Sequence, residues 1–323
     1  VIRALIVTNM WPTSGRPALG GFVADQVHAL RETGEVEVEV CAFGGGSGDP
    51  WAYLRAAVHL RRTRARRTRA DRSGRARPDV VHAHFGLSAW PALAAPGAIH
   101  AVTLHGTDVV HPRSRALTLA ALPFQDLVAA ASQPLAALVP RRATRGRAPA
   151  ILPTGVALDR FAPIDRGEAR RALGLDLRRR YLLFPADPAR PEKRADRARA
   201  VADAVDATLL TLGAVPPARM ATWINAADAV LITSERESFG LAALEALACE
   251  VPVLSTPVGV APDALAGLPG ALCAPFDLAT WAAHLDVVPD RLAGARERAA
   301  PHSSTVCARK VVVAWQTALA LSR

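Results

Sequence analysis

The chain has 323 residues, half of them hydrophobic and only 5% aromatic, with four cysteines and a net charge of +10. That composition excludes a disordered chain, and the length points to two domains at ~150 residues each. No apolar run nears the ~18 residues that span a bilayer, and the opening VIRALIVTN is too short for a signal peptide and lacks its cleavage pattern, so a cytoplasmic protein is expected. Cys41, Cys249, Cys273 and Cys307 lie far apart with no C-x-x-C, which argues against a zinc ribbon and against a disulfide framework.

In chain order, the strand IRALIVTN leads through a glycine-bearing loop into the amphipathic helix FVADQVHALRETG, then the strand VEVEVCAF and the helix WAYLRAAVHL. The densest basic run, LRRTRARRTRADRSGRAR, follows at residues 60 to 77. Its arginines have no interleaved aromatics, so no stacking platform for bases is present and no nucleic acid partner is expected. A solvated basic helix, or contact with anionic lipid or an anionic acceptor, are the readings it leaves open.

Next come the strands DVVHAH, HAVTLHG, DLVAAAS and AILPTG. Period-two alternation puts His82 and His84 on one strand face, with no further ligand nearby to complete a metal site. A core or capping role suits His82, and a place in an acceptor pocket is open to His84. His105 follows its strand at the carboxyl edge and precedes Gly106, with Asp108 placed to cap the next helix.

The strand signal lapses near GVALDRFAPIDRGEARRAL, where Asp165 and Glu168 have the spacing of a capping box. It resumes with YLLFPAD, ATLLTLG, AVLITS, VPVLSTP and ALCAP, and SSTVCARKVVVAWQTALAL reads as a final helix. Strands alternating with helices in two series predict two Rossmann-like α/β domains with parallel sheets. The expected boundaries are 1–157, 158–304, and a helix over 305–323 returning to the first domain.

The segment ESFGLAALE sets Glu237 and Glu245 eight positions apart. AVLITS ends at Ser234, so Glu237 falls in the loop at a carboxyl sheet edge, where open α/β sheets bind ligands. Gly240 and Leu241 then open a helix that carries Glu245 in its second turn. The amides of Phe239, Gly240 and Leu241 make an anion site, and carboxylates accept hydrogen bonds from sugar hydroxyls. A phosphate in the middle and hydroxyls at both ends describe a nucleotide sugar.

ITSERESFGLAALEALACEVPVLSTPVG resembles the E-x7-E region of the family 4 retaining glycosyltransferases, which have the two-domain GT-B fold with parallel sheets facing a central cleft. The resemblance implies that Glu237 binds the donor sugar and Glu245 the nucleotide ribose, with Ser238 in the same loop. TNMWPTSGRPALGGFVADQVHAL is similar to the family's glycine-rich loop, where Gly20 and Gly21 would let the backbone approach the diphosphate or the acceptor. ILPTGVALDRFAP is similar to its L-P-N-G-V-D exit from the first domain, with Thr154 in place of asparagine. In YLLFPADPARPEKRADRA, Lys193 matches a phosphate-binding lysine, but Asp187 occupies the usual arginine position, leaving Arg190 or Arg194 to supply that charge. His105 is implied to face the cleft, near the donor sugar and the leaving phosphate.

Breaking the sugar-to-phosphate bond requires stabilising the departing diphosphate. Asp-x-Asp, the common metal-holding motif of GT-A enzymes, is absent from the sequence, and Lys193, Arg190 and the amides at 239 to 241 are fixed donors for that charge. The expectation is therefore a metal-independent transferase, with no cofactor, that moves a sugar from a UDP- or GDP-sugar. Glu237, His105 and Lys193 are its candidate catalytic residues, and a lipid-linked or natural-product acceptor would suit it, with peripheral contact to the inner membrane face through 60–77. A non-catalytic sugar-nucleotide-binding relative and another GT-B enzyme, such as an epimerase, are the alternatives.

Overall fold

The computed structural model describes residues 1–44, 49, 51–69, 77–212 and 215–322, with 63–69 described in their backbone alone. It divides into two compact units, Val1–Gly155 with Ser304–Arg323, and Val156–Ser303.

In the first unit, β1 (Ile2–Thr8), β2 (Val36–Ala42), β3 (Val80–His84), β4 (Ile99–Leu104), β5 (Leu127–Ala130) and β6 (Ala150–Ile151) form a sheet in the order β2-β1-β3-β4-β5-β6, parallel throughout. β3 is buried along its whole length, as a parallel strand covered on both faces must be. β2, at the edge, alternates valine inward and glutamate outward over Val36–Glu39. AILPTG forms a strand only over Ala150–Ile151; the Leu152 amide still donates to the Ala130 carbonyl at 2.9 Å, and then comes Pro153, which has no amide to donate. The crossovers carry α1 (Gly21–Glu32), α2 (Trp51–Arg69), α3 (Ala89–Ala92), α4 (Thr107–Val110), α5 (Pro112–Ala121) and α6 (Gln133–Ala137).

The second unit contains α7 (Arg166–Leu173), β7 (Tyr181–Phe184), α8 (Ala195–Ala204), β8 (Thr208–Thr211), α9 (Pro217–Ala226), β9 (Ala229–Ile232) and α10 (Leu241–Ala248). β10 (Val253–Ser255), α11 (Ala261–Ala264), β11 (Leu272–Cys273), α12 (Leu278–Leu285) and α13 (Ala295–Ala299) complete it. Its sheet runs β11-β10-β9-β7-β8, again all parallel. One face packs Val230, Ile232, Leu244 and Leu247, the other Leu182, Phe184, Leu231 and Trp281.

The final helix, α14 (Ser304–Leu321), belongs to the first unit. It lies on α1, and its Ala308, Val311, Val312 and Trp315 join Ile6, Val23, Val27 and Leu30 in one core.

α7 starts at Asp165, whose carboxylate accepts the Glu168 amide at 2.8 Å, and stops at Gly174 in the left-handed region. It is tied to the sheet by Asp228, which takes Arg166 and Arg170 at 2.8 Å each and the Tyr181 amide at 2.7 Å. Arg170 is almost fully buried and also caps the carbonyls of Ala226 and Leu177. Removing one partner of such a pair strands the other charge. Asp228→Ala is expected to cost the second unit about 3 kcal/mol in urea unfolding; a loss under ~1 kcal/mol would mean that the carbonyls alone hold Arg170.

Candidate functional site

Both sheets reverse their strand order once, between β1 and β3 in the first unit and between β7 and β9 in the second. The carboxyl edge at such a reversal is open, because the flanking connections leave towards opposite faces. The second unit places its singled-out residues there.

Lys193 lies in the loop after β7 and Glu237 in the loop after β9. The two loops are joined by the Thr233 hydroxyl, which reaches the carbonyls of Lys193 and Arg194 at 3.0 and 2.9 Å, and by the Glu235 amide on the Glu192 carbonyl at 2.9 Å. Across this junction the Lys193 ammonium donates to both oxygens of Glu237 at 2.6 Å, and Ser234 adds its hydroxyl at 2.7 Å. Lys193 and Glu237 are largely buried, with side chains 12% and 16% exposed. An arriving phosphate would draw on the lysine and a sugar hydroxyl on the glutamate, so one ligand would replace their mutual contact.

Gly240 caps α10 at φ 91°, and the amides of Phe239, Gly240 and Leu241 donate to no acceptor among the described residues. The loop is braced from behind, where the Phe239 carbonyl takes the Val260 amide at 2.7 Å. Gly259, at φ 57°, passes so close that a Cβ would stand 2.4 Å from the Phe239 oxygen. Glu245 is on α10, half-buried, on a different element from Glu237 as the spacing required.

Neither arginine offered for the Asp187 position stands ready for a ligand. Arg190 folds back on Glu192, at 3.0 and 2.6 Å, and Arg194 is shared between Asp196 and Glu235 at 2.7 to 2.9 Å. Asp187 itself accepts the Ala189 amide in a local turn. Ser234, Thr233 and Gly259 were not singled out by sequence reasoning; a hydroxyl pair closing a buried strand, Thr233-Ser234, was the available signal.

The carboxyl edge of the first unit holds a column of aromatic rings. His82 and His84 stack at 5.0 Å, His84 and His105 at 5.2 Å, and Phe22 from α1 lies 5.1 Å from His105. His82 is held between the Trp315 indole N–H at 3.0 Å and the Thr103 hydroxyl at 2.8 Å, and His84 Nδ1 meets His105 Nε2 at 3.0 Å. His82 therefore has the core role, and His84 is also wholly buried. Asp108 does not cap α4, whose N-cap is Gly106. Its buried carboxylate instead gathers the amides of His105, Gly106 and Gly86 at 2.7 to 3.1 Å and so fixes the turn bearing His105. Phe85, just after β3, is forced to φ 78°, a strained value for a bulky residue.

Gly20 stands at the start of α1. At φ 66° it caps α1, and a Cβ there would stand 2.3 Å from the Met10 carbonyl oxygen. The close approach its missing side chain permits is to the protein's own backbone; Gly21 is the first residue of the helix.

Among the described residues, no group of three or more His, Cys, Asp or Glu side chains is placed to hold a metal ion. Burial pushes the Cys249 thiol up to about 12 and Cys307 to about 11, so both are inert at neutral pH.

Residues 180–288 match the family described as Glycosyl transferases group 1. This segment is similar to the group 1 glycosyltransferases. It contains Lys193, Ser234, Glu237 and Glu245, and thus every element of the second-unit site. The D-inositol 3-phosphate glycosyltransferase 2 of Catenulispora acidiphila is 30% identical over 289 residues, an alignment covering 70% of this chain and 66% of that protein. The chain thus spans just under two thirds of that relative's length. Among solved structures, a glycosyltransferase from Rickettsia africae superposes with a TM-score of 0.70 at 13% identity, covering 98% of each chain. Anabaena HepE, solved with UDP and glucose, gives 0.64 at 16% identity over the whole of both. At such identities the likeness speaks for the fold, which is GT-B.

Burial drives the three imidazoles of the first unit below the usual 6.5, His84 to about 4, and the neighbouring rings add to this for His82 and His105. They are neutral when folded and protonated when unfolded at mildly acid pH, so the unfolded state binds more protons and stability falls as pH falls. The first unit is expected to lose stability from pH 6.5 down to about 4, by on the order of 3 kcal/mol through His84 alone. Urea titrations at stepped pH would measure this, and a flat profile would place charged imidazoles in the folded state.

Proposed function

We propose that the chain is a retaining, metal-independent glycosyltransferase that moves a sugar from a UDP- or GDP-sugar to an acceptor hydroxyl. The observation that carries this reading is the Lys193–Glu237–Ser234 cluster at the switch point of a group 1 domain, beside the unpaired amides 239 to 241. In this reading Lys193 and the amides take up the charge of the leaving diphosphate, where preorganised donors act most strongly. Glu237, freed from Lys193 by the phosphate, holds sugar hydroxyls, and Glu245 holds the ribose. A departing phosphate oxygen deprotonates the acceptor on the face it leaves, which retains the anomeric configuration. The absence of Asp-x-Asp and the presence of fixed donors, Lys193 and the amides 239 to 241, support a reaction without metal.

One observation favours a second reading, a relative that binds a sugar nucleotide without turning it over. Asp187 stands where the family has arginine, and Arg190 and Arg194 are already paired. A thermal-shift panel of UDP, GDP, ADP and dTDP and their sugar conjugates, run in EDTA and followed by a transfer assay, separates the two. A shift with transfer supports the enzyme; a shift without transfer supports the binder; no shift overturns both. Glu245→Ala is expected to weaken nucleotide binding about 10-fold or more, whereas Glu237→Gln leaves free-nucleotide affinity within about 2-fold and lowers kcat by ~100-fold. The reverse pattern would exchange the two ends of the donor.

The acceptor side is read from charge. The basic run begins on α2, whose Trp51, Leu54 and Val58 are 65%, 54% and 40% exposed next to exposed Arg61 and Arg62; part of it, 70–76, lies outside the described residues. No helix among the described residues is long and apolar enough to cross a membrane. A cytoplasmic protein that docks peripherally on anionic lipid, towards a lipid-linked acceptor, fits this face, with about 1 kcal/mol contributed per arginine near the surface. Binding to phosphatidylglycerol vesicles is expected to fall at least ~10-fold when Arg61, Arg62, Arg66 and Arg67 become serine, and to weaken steeply with salt. Binding indifferent to both would remove the membrane from the reading.

A further inference from the structure

His84 has a property that the transfer reading does not use. Its Nδ1 lies 3.0 Å from His105 Nε2, while its own Nε2 is buried with no partner among the described residues. The ring lies parallel to His82, with centroids 5.0 Å apart, and meets His105 edge to edge.

Only one proton lies between two neutral imidazoles, and it sits on one ring or the other. If His105 donated from Nε2, His84 would accept at Nδ1 and carry its own proton on Nε2, as an N–H buried without an acceptor. If His84 donates from Nδ1, what is left at its Nε2 is an unprotonated lone pair. Orphaned buried donors are the rarer and more costly case in proteins. His82 cannot relieve the problem, because both of its nitrogens are engaged. The Trp315 indole is a donor only, so His82 accepts at Nδ1 and spends its Nε2–H on Thr103.

We infer that His84 is a positioning residue that fixes the tautomer of His105, holding it as a neutral ring with its proton on Nδ1, so that the first unit offers an N–H donor at its carboxyl edge. His105 Nδ1 has no partner among the described residues, and the residue is half-buried rather than enclosed, which leaves this N–H for a ligand. Such a group hydrogen-bonds an acceptor atom, a hydroxyl or phosphate oxygen, and does not take a proton from one. The chain of control runs from Trp315 on α14, which pins the His82 ring against which His84 stacks, to His84 and then to His105.

The inference goes beyond the proposed reaction and is independent of it, because the test reads the tautomer directly. The full chain is labelled with 15N-histidine, and long-range proton–nitrogen correlations are recorded at pH 7.5. Peaks are assigned by their loss in His82→Gln, His84→Asn and His105→Asn single variants. The expected pattern is Nδ1–H for His105 and His84 and Nε2–H for His82. An Nε2–H pattern for His105 in the wild-type chain overturns the inference, and this readout stands even if a variant fails to fold. His84→Leu, which packs but cannot donate, is expected to shift His105 to the Nε2–H or an averaged pattern, whereas His84→Asn, with an amide donor near the Nδ1 position, preserves Nδ1–H. A His105 pattern unmoved by leucine would show that the tautomer is set elsewhere and would also overturn the inference.

Discussion

A parallel strand pair cannot be closed by a tight turn; the chain must leave one end of the sheet, cross a face, and re-enter at the other end. Both sheets obey this throughout, so every strand delivers its following loop to the same edge, and the two faces are filled by the crossovers. Chemistry has one place left in each unit. At that edge β7 and β9 hand over Lys193 and Glu237, and β3 and β4 hand over His84 and His105. Buried strand interiors provide rigidity, and the loops rooted in them are joined by the Thr233 hydroxyl in the second unit and by the Asp108 carboxylate in the first.

The architecture was legible because each level of the sequence agreed with the next. Apolar runs of strand length alternated with amphipathic helical ones, the Asp165 cap fell where a new helix was needed, and Glu237 and Glu245 were separated onto a loop and a helix by Gly240. What was not legible was which polar group would claim which partner. Lys193 and Glu237 were assigned different parts of a ligand, and without one they claim each other; 44 positions separate them and no local pattern pairs them. Asp108 has the spacing of a cap, yet three amides from two loops converge on it, including Gly86 from 22 residues away. At Gly20 the backbone that comes close is the Met10 carbonyl, from the other limb of the same loop, and no local pattern names it.

The same difficulty affects the charge. A net charge of +10 carried almost wholly by arginine suggests an anionic partner, but many guanidiniums in the second unit look inward. Arg296 collects the carbonyls of Leu158, Phe161 and Ala248, Arg291 reaches Ile164 and Asn225, and Arg170 caps Ala226. A fork of donors that never loses its proton suits irregular segments whose carbonyls lack ladder partners. Net charge therefore overstates the surface available to an anion, whereas Arg61 and Arg62 on α2 are exposed beside exposed apolar side chains.

The return of α14 to the first unit has a consequence in time. Residues 304–321 are synthesised after the whole of the second unit, yet they bring Trp315 to His82 and cover α1. The usual order, in which domains close one after another from the N-terminus, is inverted here. The second unit is continuous and can finish by itself, while the first leaves the emerging chain with an apolar helix face uncovered and its histidine column incomplete. That unit becomes both stable and chemically defined in a single late event, so a chain released early would lack the ring that anchors the column.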